Sequence, residues 1–144
     1  MKSNIAISAV LVVGGLGYVM WPVTSQTAAT DRAISVKDGV LANVQLPETL
    51  SQNAQIGKLG FEAKCAACHG ANAAGQDGVA PPLVHIIYEP SHHGDESFQR
   101  AASMGVRGHH WTFGDMPPVE GVTKGDVTMI TAYVRELQRA NGID

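Results

Sequence analysis

Cys65-Ala66-Ala67-Cys68-His69 is the stretch whose reading decides the fold. Two thiols three positions apart, with a histidine next, form the C-x-x-C-H pattern of covalent haem attachment. The spacing has a physical basis. On a turn of helix each thiol can add to one of the two vinyl groups of a haem, and the following imidazole lies under the iron as proximal ligand. The chain has two cysteines and this motif uses both. Three other readings compete with haem. A zinc site would combine Cys65 and Cys68 with two histidines, such as His85 with His92 or His93. A thioredoxin-like redox pair would need a βαβ pattern around the motif, and none is present. A plain disulfide would leave His69 without a role.

Outside the motif, composition narrows the class. The chain has 144 residues, the length of one domain, with 10 basic and 13 acidic side chains and a formal charge of −3. Lys2 is the sole charge before Asp31, so the remainder carries 9 basic and 13 acidic groups, net −4. Such a surface argues against nucleic acid, which requires a basic patch, and suits a charge-steered protein partner. Aromatics make up 6% of the chain, against 16 glycines and 7 prolines. A domain of this size with so few large side chains is marginal on burial alone, and a covalently held macrocycle would supply the missing interior.

The N-terminal segment, residues 1–22, reads as a signal peptide or a membrane anchor. Lys2 precedes an uncharged apolar run over residues 5–21, at the short end for a membrane span. Tyr18 and Trp21 stand where an interfacial aromatic belt would fall, which favours an anchor, whereas Thr27-Ala28-Ala29 offers a passable cleavage site. Either way the rest of the chain is expected on the far, periplasmic side of the cytoplasmic membrane, with membrane association through residues 5–21 if the segment is retained. Residues 23–50 are small and polar and read as a linker with an r.m.s. span of about 30 Å. The alternation Val40, Ala42, Val44, Leu46 allows a short strand or strap within it.

The folded domain is expected at residues 51–142. A first helix from about Ser51 to Cys65, capped by Ser51 or Asn53, places Gly57, Phe61 and Cys65 on one face. A helix from Gly94 or Asp95 through about Met104 has Gly105 as its stop. A last helix begins at the capping-box-like Thr123-x-x-Asp126 and runs towards Asn141-Gly142. Residues 83–90 fit either a short helix or an extended run.

Gly57-x-x-x-Phe61-x-x-x-Cys65-x-x-Cys68-His69-Gly70 resembles the N-terminal helix of class I monohaem c-type cytochromes, and Ile130-Thr131-Ala132-Tyr133-Val134 resembles their last helix. The resemblance spans nearly the whole of residues 51–142. It implies an all-α cytochrome c-like domain of about three to five helices around one covalent haem c, with first and last helices crossing at Gly57 against Tyr133. It implies that Phe61 packs on the haem edge. It further implies that Pro81 accepts a hydrogen bond from His69 through its carbonyl and that Leu83 packs on the haem. The implied function is single-electron transfer between a redox donor and acceptor protein, not catalysis.

The distal ligand has to come from a short methionine census. Met1 and Met20 lie in the export segment, while Met104 and Met129 fall on helices as packing residues. Met116 precedes Pro117, which restricts its backbone to extended conformations. Gly114-Asp115-Met116-Pro117 also matches the family's ligand loop, so the resemblance assigns the iron to His69 and Met116. A labile Met116 would instead suit a small-ligand sensor or an enzyme subunit.

Five histidines remain: His85, His92, His93, His109 and His110. They fit local hydrogen bonding at the surface. They also fit a network in which His109, His110, Trp111 or Arg107 donates to the haem carboxylates. A third reading is a second metal, copper or zinc, held by His92, His93 and the His109-His110 pair, although adjacent histidines often point apart.

Overall fold

The computed structural model describes residues 39–144; the expected signal or anchor and most of the expected linker lie outside the described residues. Among the described residues the chain forms four α-helices: α1 (Gln52–Lys64), α2 (Ala66–His69), α3 (Asp95–Met104) and α4 (Lys124–Ala140). Single 3-10 turns sit at Ala71–Ala73 and Ile86–Tyr88, the second of which resolves the ambiguous run after Leu83. None of these helices is long and apolar enough to cross a membrane.

Local sequence sets the helix ends. Ser51 Oγ accepts the Ala54 N–H and starts α1. At α4 the capping box closes in both directions: Thr123 Oγ1 accepts the Asp126 N–H at 3.2 Å, and Asp126 Oδ2 accepts the Thr123 N–H at 2.8 Å. Those bonds hold the Asp126 carboxyl below its usual pKa. Gly105, at φ +76°, ends α3.

Helices α1 and α4 cross with their backbones nearly in contact. A Cβ built on Gly57 would lie 1.8 Å from the Met129 carbonyl oxygen, so no side chain larger than hydrogen fits. The expected pairing of Gly57 with Tyr133 is thereby corrected. Gly57 meets the Met129–Ile130 backbone, one helical turn earlier, because a crossing this close leaves no room for a ring. The Tyr133 ring instead packs on Phe61 with centroids 5.7 Å apart, and its hydroxyl donates to Asn72 Oδ1 at 3.2 Å. Phe61, Tyr133, Val134 and Leu137 are essentially without solvent exposure and form the centre of the core. Each apolar side chain fully buried in this way contributes about 1.5–3 kcal/mol.

Residues 39–50 are not linker. Ala42 N–H donates to Ala74 O at 2.9 Å, Asp77 N–H to Gly39 O at 2.7 Å, and Val44 is buried in the core. Asn141 clamps the far end, accepting from Gln45 N–H and donating to Gln45 O, both at 2.9 Å. The alternation seen in the sequence is that of an extended strap laid along the domain, so the packed unit begins before Ser51.

Arg135 and Gln138, both buried on α4, hold the segment between Leu83 and α3. Arg135 donates to Tyr88 O and His93 O, to Gln138 Oε1 at 2.6 Å, and to Asp95 Oδ1 at 2.9 Å. Gln138 Nε2 donates to Leu83 O and Tyr88 O. The Asp95 side chain is 72% exposed, so its ion pair with Arg135 is largely screened. The bonds to buried carbonyls carry the anchoring.

Two substitutions test this account by denaturant unfolding of the haem-loaded protein. Gly57→Ala is expected to cost roughly 3 kcal/mol, since the added methyl overlaps backbone and the helices must part. Arg135→Ala is expected to cost about 3 kcal/mol, by stranding buried carbonyls, whereas Asp95→Asn costs roughly 0–1 kcal/mol. Equal losses at Arg135 and Asp95 would contradict the assignment of the anchoring to the carbonyls. Asp126 supplies a pH signature. Its folded pKa lies below the unfolded value, so its stabilisation is present above the ordinary carboxylate range and is lost as pH falls through the folded pKa. Asp126→Asn is expected to flatten that part of the acid limb.

Candidate functional site

A cavity of about 860 Å³ lies between α2, α3, the loops that follow each of them, and the first turns of α4. Cys65, Cys68, His69, Pro81, Leu83, Trp111 and Met116 all border it. Phe61 does not, being fully buried against Tyr133. It lies on the same face of α1 as Cys65 and packs on Tyr133, while Val127 and Ile130 of α4 border the cavity. Phe98, Ala101 and Ala102 of α3 close another side, in keeping with the apolar face of that helix.

Cys65 closes α1 and begins the turn that becomes α2. Its thiol is pushed up to about 11, chiefly by burial and secondarily by the neighbouring Cys68. Its partly buried position suits an apolar partner. Cys68 is exposed at the cavity edge.

His69 is buried, and its Nδ1 lies 2.9 Å from the Pro81 carbonyl oxygen. A carbonyl only accepts, so Nδ1 carries the hydrogen and Nε2 keeps its lone pair. Burial lowers the His69 pKa, with the Pro81 bond opposing it. The result is a neutral imidazole with a fixed tautomer, the form that ligates a metal. The loop that brings Pro81 into place depends on glycine. Gly70 and Gly75 adopt φ +73° and +76°, Gly75 N–H donates to His69 O at 2.7 Å, and a Cβ on Gly75 would lie 2.5 Å from Pro82 N.

Met116 borders the cavity from the loop between α3 and α4. Its backbone pairs with Val106 in both directions, each N–H donating to the other's carbonyl at 2.9 Å. Gly105 permits the approach, since a Cβ there would lie 2.4 Å from Met116 O. Below this pair, Asp115 Oδ1 accepts the Gly108 N–H at 2.8 Å. Met104 also borders the cavity, but it is 66% exposed at the end of α3 and not the packing residue expected of it. Met129 lies at the helix crossing and not on the cavity wall.

Trp111 stacks on Phe113 at 5.7 Å and meets the His85 ring edge-on at 5.2 Å. Its indole Nε1 is buried and has no hydrogen-bond partner. Tyr88 stands nearby; burial raises its pKa, and the Trp111 N–H partly opposes that rise without forming a bond of proper geometry. An orphaned donor on an otherwise apolar wall fits a cofactor that brings its own acceptor, as haem does with its carboxylates. Cavity size, paired thiols, an orienting second shell on His69 and this free donor all suit haem. A mononuclear zinc site built from the same cysteines would leave most of that apolar volume unused.

The histidines separate into two groups. His85 has a local role, its Nδ1 accepting the Ile87 N–H at 3.2 Å. His92, His93, His109 and His110 come together at the rim of the cavity, where burial and the three neighbouring histidines lower the His110 pKa. This meeting was one of three alternatives open in the sequence, whereas the Arg135–Gln138 anchor beneath it had no sign in the spacing.

No curated protein matches the chain. Residues 54–138, more than half of its length, match the family model described as cytochrome c. With the C-x-x-C-H thiols and the proximal imidazole on one cavity, the match shows that this protein belongs to the cytochrome c family, as an all-α electron carrier with haem c attached through Cys65 and Cys68.

Proposed function

We propose that the protein shuttles single electrons between larger redox proteins outside the cytoplasmic membrane, with the iron held by His69 and Met116. The observation that carries this reading is that His69 and Met116 border one cavity, the His69 ring held by the Pro81 carbonyl and the Met116 backbone by Val106. Haem supplies a one-electron Fe(III)/Fe(II) couple. Everything else falls to the chain. Cys65 and Cys68 fasten the macrocycle, and Pro81 fixes the His69 tautomer and raises its donor strength. The Val106 pair and Pro117 aim the Met116 side chain, and the apolar walls exclude water.

A neutral thioether on the distal side favours Fe(II) relative to a second imidazole and raises the reduction potential. Were His69 and Met116 both to hold the iron, the chain would leave no open position for a substrate, which supports outer-sphere transfer over catalysis. Pre-fixed ligands also reduce the rearrangement that accompanies each change of charge. Residues 5–21 are proposed to direct the chain across the membrane or to hold it at the outer face, with the partners in the same compartment.

Haem stain on a denaturing gel is expected for the intact protein and lost in Cys65→Ser/Cys68→Ser. Retention of stain in that variant would contradict thioether attachment. For the distal ligand, the ferric protein is expected to show the weak near-infrared band of methionine ligation, absent in Met116→Leu. Met116→His is expected to keep a six-coordinate spectrum while lowering the reduction potential. An unchanged near-infrared band in Met116→Leu would remove Met116 from the ligand set.

A further inference from the structure

Four imidazoles gather where the loop before α3 meets the loop that carries Met116. The ring centroids of His92 and His93 are 4.6 Å apart, and the His110 ring is 5.4 Å from both. His109 adjoins His110 at 4.2 Å. One ring nitrogen from each of His92, His93 and His110 lies within 4.8 Å of the others, the one such group among the described residues. We propose that His92, His93 and His110 bind one divalent transition-metal ion, Cu(II) or Zn(II), at the rim of the haem cavity, with His109 adjacent as a further donor.

The arrangement has the features of a ligand set and not merely of a histidine-rich surface. His93 Nδ1 donates to Ile87 O at 2.6 Å, which fixes its tautomer and leaves Nε2 with a free lone pair. His109 does the same through Nδ1 to Arg107 O at 2.9 Å. A ring nitrogen donating to a backbone carbonyl is the usual second-shell partner of a metal-bound histidine. The His93 carbonyl is in turn held by the buried Arg135, and His92 and His93 N–H groups both donate to Glu89 O. That turn lets two adjacent histidines address one point from the side on which His110 arrives.

Donor chemistry sets the class of ion. The group contains imidazoles and no carboxylate or thiol, a set that suits Cu(II), Ni(II) and Zn(II) and not the hard, oxygen-seeking Mg(II) or Ca(II). With metal–nitrogen bonds of about 2.0–2.1 Å, ligand nitrogens lie roughly 3.3 Å apart, so ring nitrogens now within 4.8 Å of one another close by side-chain rotation. Copper is expected to bind more tightly than zinc. The bound ion would tie His110, six positions before Met116, to a loop anchored on α4. It would thus join the distal loop to the part of the domain that Arg135 holds.

The test is titration of the full-length, haem-loaded ferric protein, without a histidine tag, with Zn(II) by calorimetry and with Cu(II) by electron paramagnetic resonance. One equivalent of each is expected, with nitrogen hyperfine structure on the copper signal. His92→Ala and His110→Ala are both exposed changes expected to leave the haem spectrum intact and to weaken binding roughly tenfold or more, at least the loss seen when a mere second-shell partner is removed. His85→Ala, outside the group, is expected to bind as the unaltered protein does. Absence of saturable binding, or binding unchanged in His92→Ala and His110→Ala, would overturn the proposal. Neither result bears on haem attachment, which the gel stain reads separately.

Discussion

The backbone contact between α1 and α4 at Gly57 is the constraint on which the rest of the domain depends. Because a Cβ there would overlap the Met129 carbonyl, the helices can meet only where one residue has no side chain. Their approach places Tyr133 on Phe61 and closes the core on that side. It also turns Val127 and Ile130 towards the cavity, so one crossing defines both the dry interior and a wall of the haem site.

Two loops border that cavity, each fixed by its own short-range hydrogen bonds. Around His69, positive-φ glycines fold the chain back so that Pro81 presents its carbonyl to the ring. Around Met116, Gly105 lets Val106 and Met116 pair as a two-residue ladder. A third anchor, Arg135 with Gln138, joins α4 to the segment before α3. Its strength comes from satisfying buried carbonyls and not from its exposed ion pair, since an unpaired buried acceptor costs more than a surface charge pair returns. The histidine group sits where this third anchor meets the loop that carries Met116, so a metal bound there would act on both.

Much of the architecture was legible because it rests on local rules. Ser51, Thr123 with Asp126, and Gly105 mark helix ends through hydrogen bonds that span a few residues. The strap over residues 39–50 was harder. Its Val40, Ala42, Val44 and Leu46 alternation is weak, and what holds it, Ala74 and Asn141, lies far along the chain. Phe61 and Tyr133 were placed on the right helices, but their contact with each other was not foreseen, because four-residue spacing gives a face and not the height at which two helices touch. The Trp111 donor and the meeting of His92, His93 and His110 stood in the sequence only as alternatives among several, since each depends on two loops closing on each other.

The sequence by itself determined the cofactor chemistry: Cys65, Cys68 and His69 must lie on one turn, and thiol and imidazole spacing along a helix is a covalent property of the chain. It also determined where the helices start and stop. Tertiary structure alone decided that Gly57 meets Met129 and not Tyr133, that the strap belongs to the domain, and that four scattered histidines share one rim. The physical reason is range. Caps and motifs act over a few bonds, whereas close approach, burial and ring clustering depend on which distant surfaces the packed core brings together.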